Sequence, residues 1–228
     1  MDRRRIGRRA PRSFNLKIDA ISATPNWATT PISALDPAQR PALLAEVRRQ
    51  LVLARRLEAP MALFMTGNRI AGRATEDQWA SLVESCRRAG DLAAEAGITL
   101  IVEPLNTKVN HAGYFLETVS EGVRLMKEVD HPHVRLLYDL YHEQVQTGDA
   151  LAPLTAALPY VKVFHVADAP GRHDPGTGKM NYDAIYRAIQ KAGYKGHIAL
   201  EYLPQGGDQA ASLIRAVDAM RKSLRATS

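Results

Sequence analysis

The sequence predicts an α/β fold of the (β/α)8 TIM-barrel type, shortened at its N-terminus to about six βα units. Three observations predict it. Short apolar runs alternate with segments of helical periodicity along most of the chain, a rhythm that favours parallel strands joined by right-handed crossovers. Four of the runs end on a potential metal ligand: residues 98–102 before Glu103, 134–138 before Asp139, 161–164 before His165 and 197–200 before Glu201. The intervals between those four residues are 36, 26 and 36, each close to a strand, a helix and two loops, so they recur at one end of consecutive units. In parallel barrels that end carries the chemistry.

The elements follow in order. Residues 16–21 alternate apolar and polar side chains like a strand, and the loop from Ser22 to Ala34 carries Pro25, Trp27 and Pro31. Asp36 is placed to cap a helix with Pro37 in its first turn and Leu43, Val47, Leu51 and Ala54 on one face. Residues 61–65 form a second strand closed by Gly67, after which Thr75 and Gln78 match a capping box. Trp79, Leu82, Val83 and Cys86 repeat at helical spacing before Gly97 stops that helix. Further helices are expected over 117–129, 149–158, 182–192 and 208–225. Six strands are counted, two fewer than a closed barrel, and an open sheet exposes two edges. The expectation is therefore a natural start further upstream or a second subunit covering the gap, hence a homo-oligomer.

Bulk numbers narrow the function classes. The 228 residues are 46% apolar, enough for one large α/β domain over 13–228. Net charge is +6, but residues 1–12 hold six Arg and one Asp and contribute +5 of it. They read as a disordered basic tail on a nearly neutral body, which argues against a nucleic-acid partner. The single cysteine, Cys86, cannot form an intrachain disulfide, which fits a reducing, cytoplasmic setting. No run approaches the ~18 apolar residues of a membrane span, so no membrane partner is expected.

Two glutamates, an aspartate and an imidazole make an oxygen-rich donor set that suits Mn²⁺ or Mg²⁺, with Co²⁺ also accommodated. Pro104 ends the strand before it and turns the Glu103 carboxylate toward the mouth. His142, three residues after Asp139, is a candidate substrate contact at the turn into the following loop. Arg172 lies in the long loop 168–179, rich in glycine and proline, where it can clamp a carboxylate or phosphate. Trp27 is placed to wall the same mouth. Moving a proton between the carbons of an α-hydroxycarbonyl creates an enediolate, which a divalent cation stabilises while two carboxylates take and return the proton. Glu103 and Glu201 are the natural pair.

Five passages give the chain a family likeness: Val-Glu-Pro-Leu-Asn at 102–106, His-Ala-Gly-Tyr-Phe-Leu at 111–116, Tyr-Asp-Leu-Tyr-His at 138–142, the loop 170–178 with Asn181 and Tyr182, and Leu-Glu-Tyr at 200–202. From about Ser13 onward the chain resembles the xylose-isomerase-like barrels, metal-dependent sugar isomerases and epimerases, and within them the hydroxypyruvate isomerase family. The resemblance implies that Glu103, Asp139, His165 and Glu201 hold the metal, that the glutamates are the acid/base pair, and that His142 and Arg172 contact a small hydroxy-keto acid or sugar. Hydroxypyruvate isomerases often carry glutamine where this chain has His165, whereas related ketose epimerases carry histidine. The family also begins with two further strands and their helices.

The resemblance thus implies an isomerase acting on hydroxypyruvate, with a ketose 3-epimerase or a keto-inositol dehydratase as the alternative. A zinc endonuclease for abasic DNA, also found among such barrels, needs more histidines than His142 and His165. A different class of reading is a barrel remnant that binds metal without turnover.

Overall fold

The structure is a computed structural model that describes residues 16–24 and 32–225. The basic tail and Trp27 lie outside these residues. The described residues form two compact units, one made of those up to Glu103 together with Leu125–Arg135, the other of Pro104–Arg124 and those from Leu136 onward.

The first unit holds β1 (Ala20–Ser22), α1 (Arg40–Leu57), β2 (Met61–Phe64), α2 (Thr75–Ala96) and β3 (Thr99–Val102). β1 pairs with β2 and β2 with β3, both parallel. Leu43, Val47, Leu51 and Ala54 form the buried face of α1, as their spacing predicts. That helix starts at Arg40 with a proline in its first turn, not at Asp36. Asp36 instead accepts from the Ala38 N–H at 3.1 Å and from Arg73 Nη1 at 3.0 Å, closing a turn ahead of the helix.

The expected capping box on α2 does not form. Ala74 occupies the cap without a side-chain bond, and the buried Gln78 amide is committed elsewhere. It accepts from Ile70 N at 2.8 Å and donates to Arg73 O at 2.8 Å, pinning the turn before the helix. Gly97 ends α2 in the left-handed region at φ 67°, as expected. The one cysteine, Cys86, is buried on α2, and burial pushes its thiol up to about 12.

The chain continues through α3 (Val119–Val129) and β4 (Val134–Asp139), and then α4 (Leu140–Thr147), α5 (Leu154–Ala157), β5 (Val161–Val166), α6 (Tyr182–Lys191), β6 (His197–Leu200) and α7 (Gln209–Arg225). In the second unit β4 pairs with β5 and β5 with β6, all parallel. α4 is a helix where a loop was expected. Asp139 caps it through Oδ1, which accepts from the N–H groups of Tyr141 (2.8 Å) and His142 (3.1 Å). α5 is four residues long rather than running from 149 to 158. Pro153 disfavours helical backbone at the residue before it, and Asp149 holds the preceding turn by accepting from Leu151 N at 2.8 Å.

One irregularity fixes the register of this unit. Leu136 pairs with Val161 but Leu137 with Val163, so Lys162 is an extra residue on β5. Beyond it Tyr138 pairs with Phe164 and Asp139 with His165. Without the bulge Asp139 would face Phe164, whose side chain points to the opposite side of the sheet. The Lys162 carbonyl accepts from Tyr194 Oη at 2.9 Å. Gly196 makes room for that tyrosine, since a Cβ there would lie 2.2 Å from its Oη.

Tyr194→Phe should therefore cost about 1 kcal/mol, the net worth of one hydrogen bond. Gly196→Ala should cost at least as much, and urea unfolding of the double variant should show the two losses to be non-additive.

Candidate active site

Strand register gathers the polar groups. Asp139 and His165 are paired at adjacent strand ends, and His165 pairs with Ala199, two residues before Glu201 on the same side of β6. Asp139, His165 and Glu201 each present one ligand atom within 4.8 Å of the others. His165 Nδ1 lies 2.7 Å from Glu201 Oε2. Glu103 directly follows β3 in the first unit and is 5% exposed.

Arg172 joins the three. Its Nη2 donates to Asp139 Oδ2 at 3.1 Å and to Glu201 Oε2 at 2.8 Å, and its guanidinium carbon lies 5.3 Å from the centre of the Tyr141 ring. The backbone at Arg172 has φ 58°, a left-handed conformation that costs a non-glycine residue about 1 kcal/mol. The loop is built to hold it there. Buried Asp168 accepts from the N–H groups of Ala169 (2.9 Å), Gly176 (2.7 Å) and Met180 (3.1 Å), gathering the loop around one carboxylate. Gly178 passes so close that a Cβ would sit 2.4 Å from Asp168 Oδ1. The carbonyl of Arg172 accepts from Leu203 N at 2.7 Å, tying the loop to the segment that carries Glu201.

The two carboxylates on this guanidinium differ in how tightly they hold a proton. Burial raises Asp139 well above the usual carboxylate range, to about 6, against the pull of Arg172. Glu201 is half exposed. Burial also pushes it up, but the hydrogen bond from His165 and the charges of His165 and Arg172 outweigh that and hold it down to about 2. Full burial decides the first case, and the neighbouring hydrogen bond and positive charges decide the second.

His142, the other expected substrate contact, is 1% exposed on the first turn of α4. Burial, then the charge of Arg172, lowers it to about 3, so its ring is neutral. Its Nε2 lies 3.8 Å from Asp139 Oδ2. Three residues not singled out in the sequence reading complete the group: Tyr141 beneath Arg172, His111 with its ring 5.2 Å from that of His142, and Asn106 against the His142 ring. All three lie in the passages that carry the family likeness, Asn106 in 102–106, His111 in 111–116 and Tyr141 in 138–142. Chemically, the cluster offers hard donors for a divalent cation, a fixed cation for an anionic substrate group and an ionised carboxylate beside both.

Comparison with known proteins bears on this site. The family described as Xylose isomerase-like TIM barrel matches residues 3–223. The chain is 28% identical over 207 residues to a putative hydroxypyruvate isomerase of Homo sapiens, which covers 87% of this chain and 74% of the human one. It is 33% identical over 131 residues to a 2-oxo-tetronate isomerase of Cupriavidus necator, covering 58% and 50% of the two chains. It is 31% identical over 146 residues to the hydroxypyruvate isomerase of Escherichia coli, covering 64% and 56%. The chain thus spans about half the length of the latter two. Among solved structures, AP endonuclease, family 2, from Brucella melitensis superposes with a TM-score of 0.85 at 28% identity, covering 96% of this chain and 84% of that one. D-psicose 3-epimerase from Clostridium cellulolyticum H10 shares the fold, with a TM-score of 0.77 at 21% identity over 93% and 80%. Among the described residues no helix is long and apolar enough to cross a membrane.

The buried aspartate makes stability depend on pH. Asp139 binds its proton more tightly in the folded chain, at about 6 against an ordinary 3.8, so its contribution falls as pH rises through that window. At ~1.4 kcal/mol per unit the swing is at most about 3 kcal/mol. Glu201 acts in the opposite sense below its ordinary 4.5, and does so in wild type and variant alike. Urea unfolding in chelator should show Asp139→Asn gaining stability relative to wild type between pH 4 and pH 7.

Proposed function

Because the chain belongs to the xylose isomerase-like TIM barrel family, we propose that it is an isomerase of small hydroxy-keto acids, interconverting hydroxypyruvate and tartronate semialdehyde. The reading rests above all on Arg172 lying 2.8 Å from Glu201. A substrate carboxylate anchored on that guanidinium has its neighbouring carbons within reach of a carboxylate base. The names of the relatives support the same substrate class, since hydroxypyruvate and 2-oxo-tetronate are both 2-oxo acids with a hydroxyl on the next carbon.

In this reaction a proton leaves C3 of hydroxypyruvate and returns to C2, while the hydroxyl proton passes from the C3 oxygen to the C2 oxygen. Glu201, ionised at neutral pH, is one of the pair that takes and returns the carbon-bound proton. Glu103, at the end of β3, is its proposed counterpart. Arg172 binds the substrate carboxylate bidentately, and His142 donates to a substrate oxygen. The donor set of Asp139, His165 and Glu201 fits a hard divalent ion. With Glu103 these residues would hold Mn²⁺ or Mg²⁺, or Co²⁺, which when bound supplies positive charge for the oxygens on which negative charge develops.

Loaded with Mn²⁺, the protein should convert hydroxypyruvate to the aldehyde, and EDTA should abolish the conversion. Glu201→Gln should lower kcat by about 10²–10⁴-fold, the usual worth of a positioned acid or base. Arg172→Met should raise KM for hydroxypyruvate at least tenfold, since a hydrogen bond to a charged group contributes roughly 1.5–3 kcal/mol. Turnover of D-psicose in place of hydroxypyruvate would move the reading to a ketose 3-epimerase. Stoichiometric Mn²⁺ binding with turnover of neither would leave a metal-binding remnant.

A further inference from the structure

We infer that Asn106 is a positioning residue that locks His142 in its Nε2–H tautomer, making that histidine a fixed hydrogen-bond donor in the site. The identity of the substrate oxygen it faces rests on the function proposed above; the tautomer does not.

Asn106 is fully buried. Its side-chain Oδ1 accepts from the N–H groups of Val109 and Asn110, each at 3.1 Å. Those two bonds identify the oxygen end of the amide and leave Nδ2 with two protons to donate. One goes to Asn110 Oδ1 at 3.0 Å, an oxygen that also accepts from Tyr141 Oη at 2.9 Å. The other points at His142 Nδ1, 2.6 Å away. The backbone N–H of Asn106 reaches the same Nδ1 at 3.1 Å. Two donors therefore converge on one ring nitrogen. A proton on Nδ1 would confront both, so that nitrogen carries its lone pair and the ring proton sits on Nε2. Turning the ring over would set a C–H against both donors and leave them unpaired, while His111 and Tyr141 pack against it with centroids at 5.2 Å and 5.5 Å.

His142 can then donate but cannot accept. Proton transfer at carbon falls to the carboxylates, and the substrate oxygen facing Nε2 must itself be an acceptor, such as the keto oxygen as it gains negative charge. The specificity consequence is a preference for a carbonyl over a hydroxyl donor at that position.

The test is ¹⁵N NMR of the full chain, with His142 assigned by the signal lost in His142→Gln. Wild type should show Nε2 protonated and Nδ1 bare at neutral pH. Asn106→Asp replaces the donor opposite Nδ1 with an acceptor and should move the proton onto Nδ1. Should hydroxypyruvate be turned over, kcat should fall about 10²-fold in that variant, the scale of one lost donor to a developing oxyanion, with KM changed less than threefold. A wild-type ring protonated at Nδ1 overturns the inference even if the variant does not fold. An Asn106→Asp protein with the wild-type tautomer overturns it too, whatever its activity. Absence of turnover with the expected tautomers would count against the proposed substrate and leave the role of Asn106 standing.

Discussion

Negative charge gathered in one place needs a cation. Asp139 is 2% exposed and faces Glu201 across a short gap, and the guanidinium of Arg172 spans both. Isolated in a protein interior, an ionised carboxylate costs several kcal/mol and is tolerated when paired and hydrogen-bonded. The local architecture follows from that requirement. The left-handed backbone at Arg172, the glycine that skirts Asp168 and the N–H groups gathered on its carboxylate all serve to deliver one side chain to one point. Asp139 in turn divides its work between its oxygens. Oδ1 starts α4 and Oδ2 faces the site, so the helix that carries His142 and Tyr141 is anchored on the same residue that they surround.

Much of this was legible in the sequence. Buried strands announce themselves as apolar runs, and each of the expected strands ending on a candidate ligand is present within a residue or two of its expected bounds. The phase of Asp139, His165 and Glu201 could be read because strand, helix and loop lengths vary little in parallel units. Arg172 was legible as the cation of an otherwise glycine- and proline-shaped loop.

What was not legible turned on competition between local and distant partners. Thr75 and Gln78 have the spacing of a capping box, yet the Gln78 amide finds better partners in the turn before the helix. α4 escaped notice because its apolar spacing is poor and its strength lies in a cap that looked like a ligand. Tyr141, His111 and Asn106 are ordinary residues in sequence. Their roles appear only when the 104–117 segment and α4 lie side by side, with Gln146 Nε2 donating to Glu117 Oε2 at 2.7 Å between them.

The bulge at Lys162 has an implication for how such sites are inherited. Asp139 meets an imidazole rather than a phenyl ring because β5 carries one residue more than its partner opposite Leu136–Leu137. Strand register is thus as much a part of this constellation as residue identity. A chain that keeps every residue but draws Lys162 into the regular ladder would set Phe164 opposite Asp139, with no candidate ligand substituted. Changes of register, which leave residue identities untouched, are therefore enough to take such a constellation apart in one step.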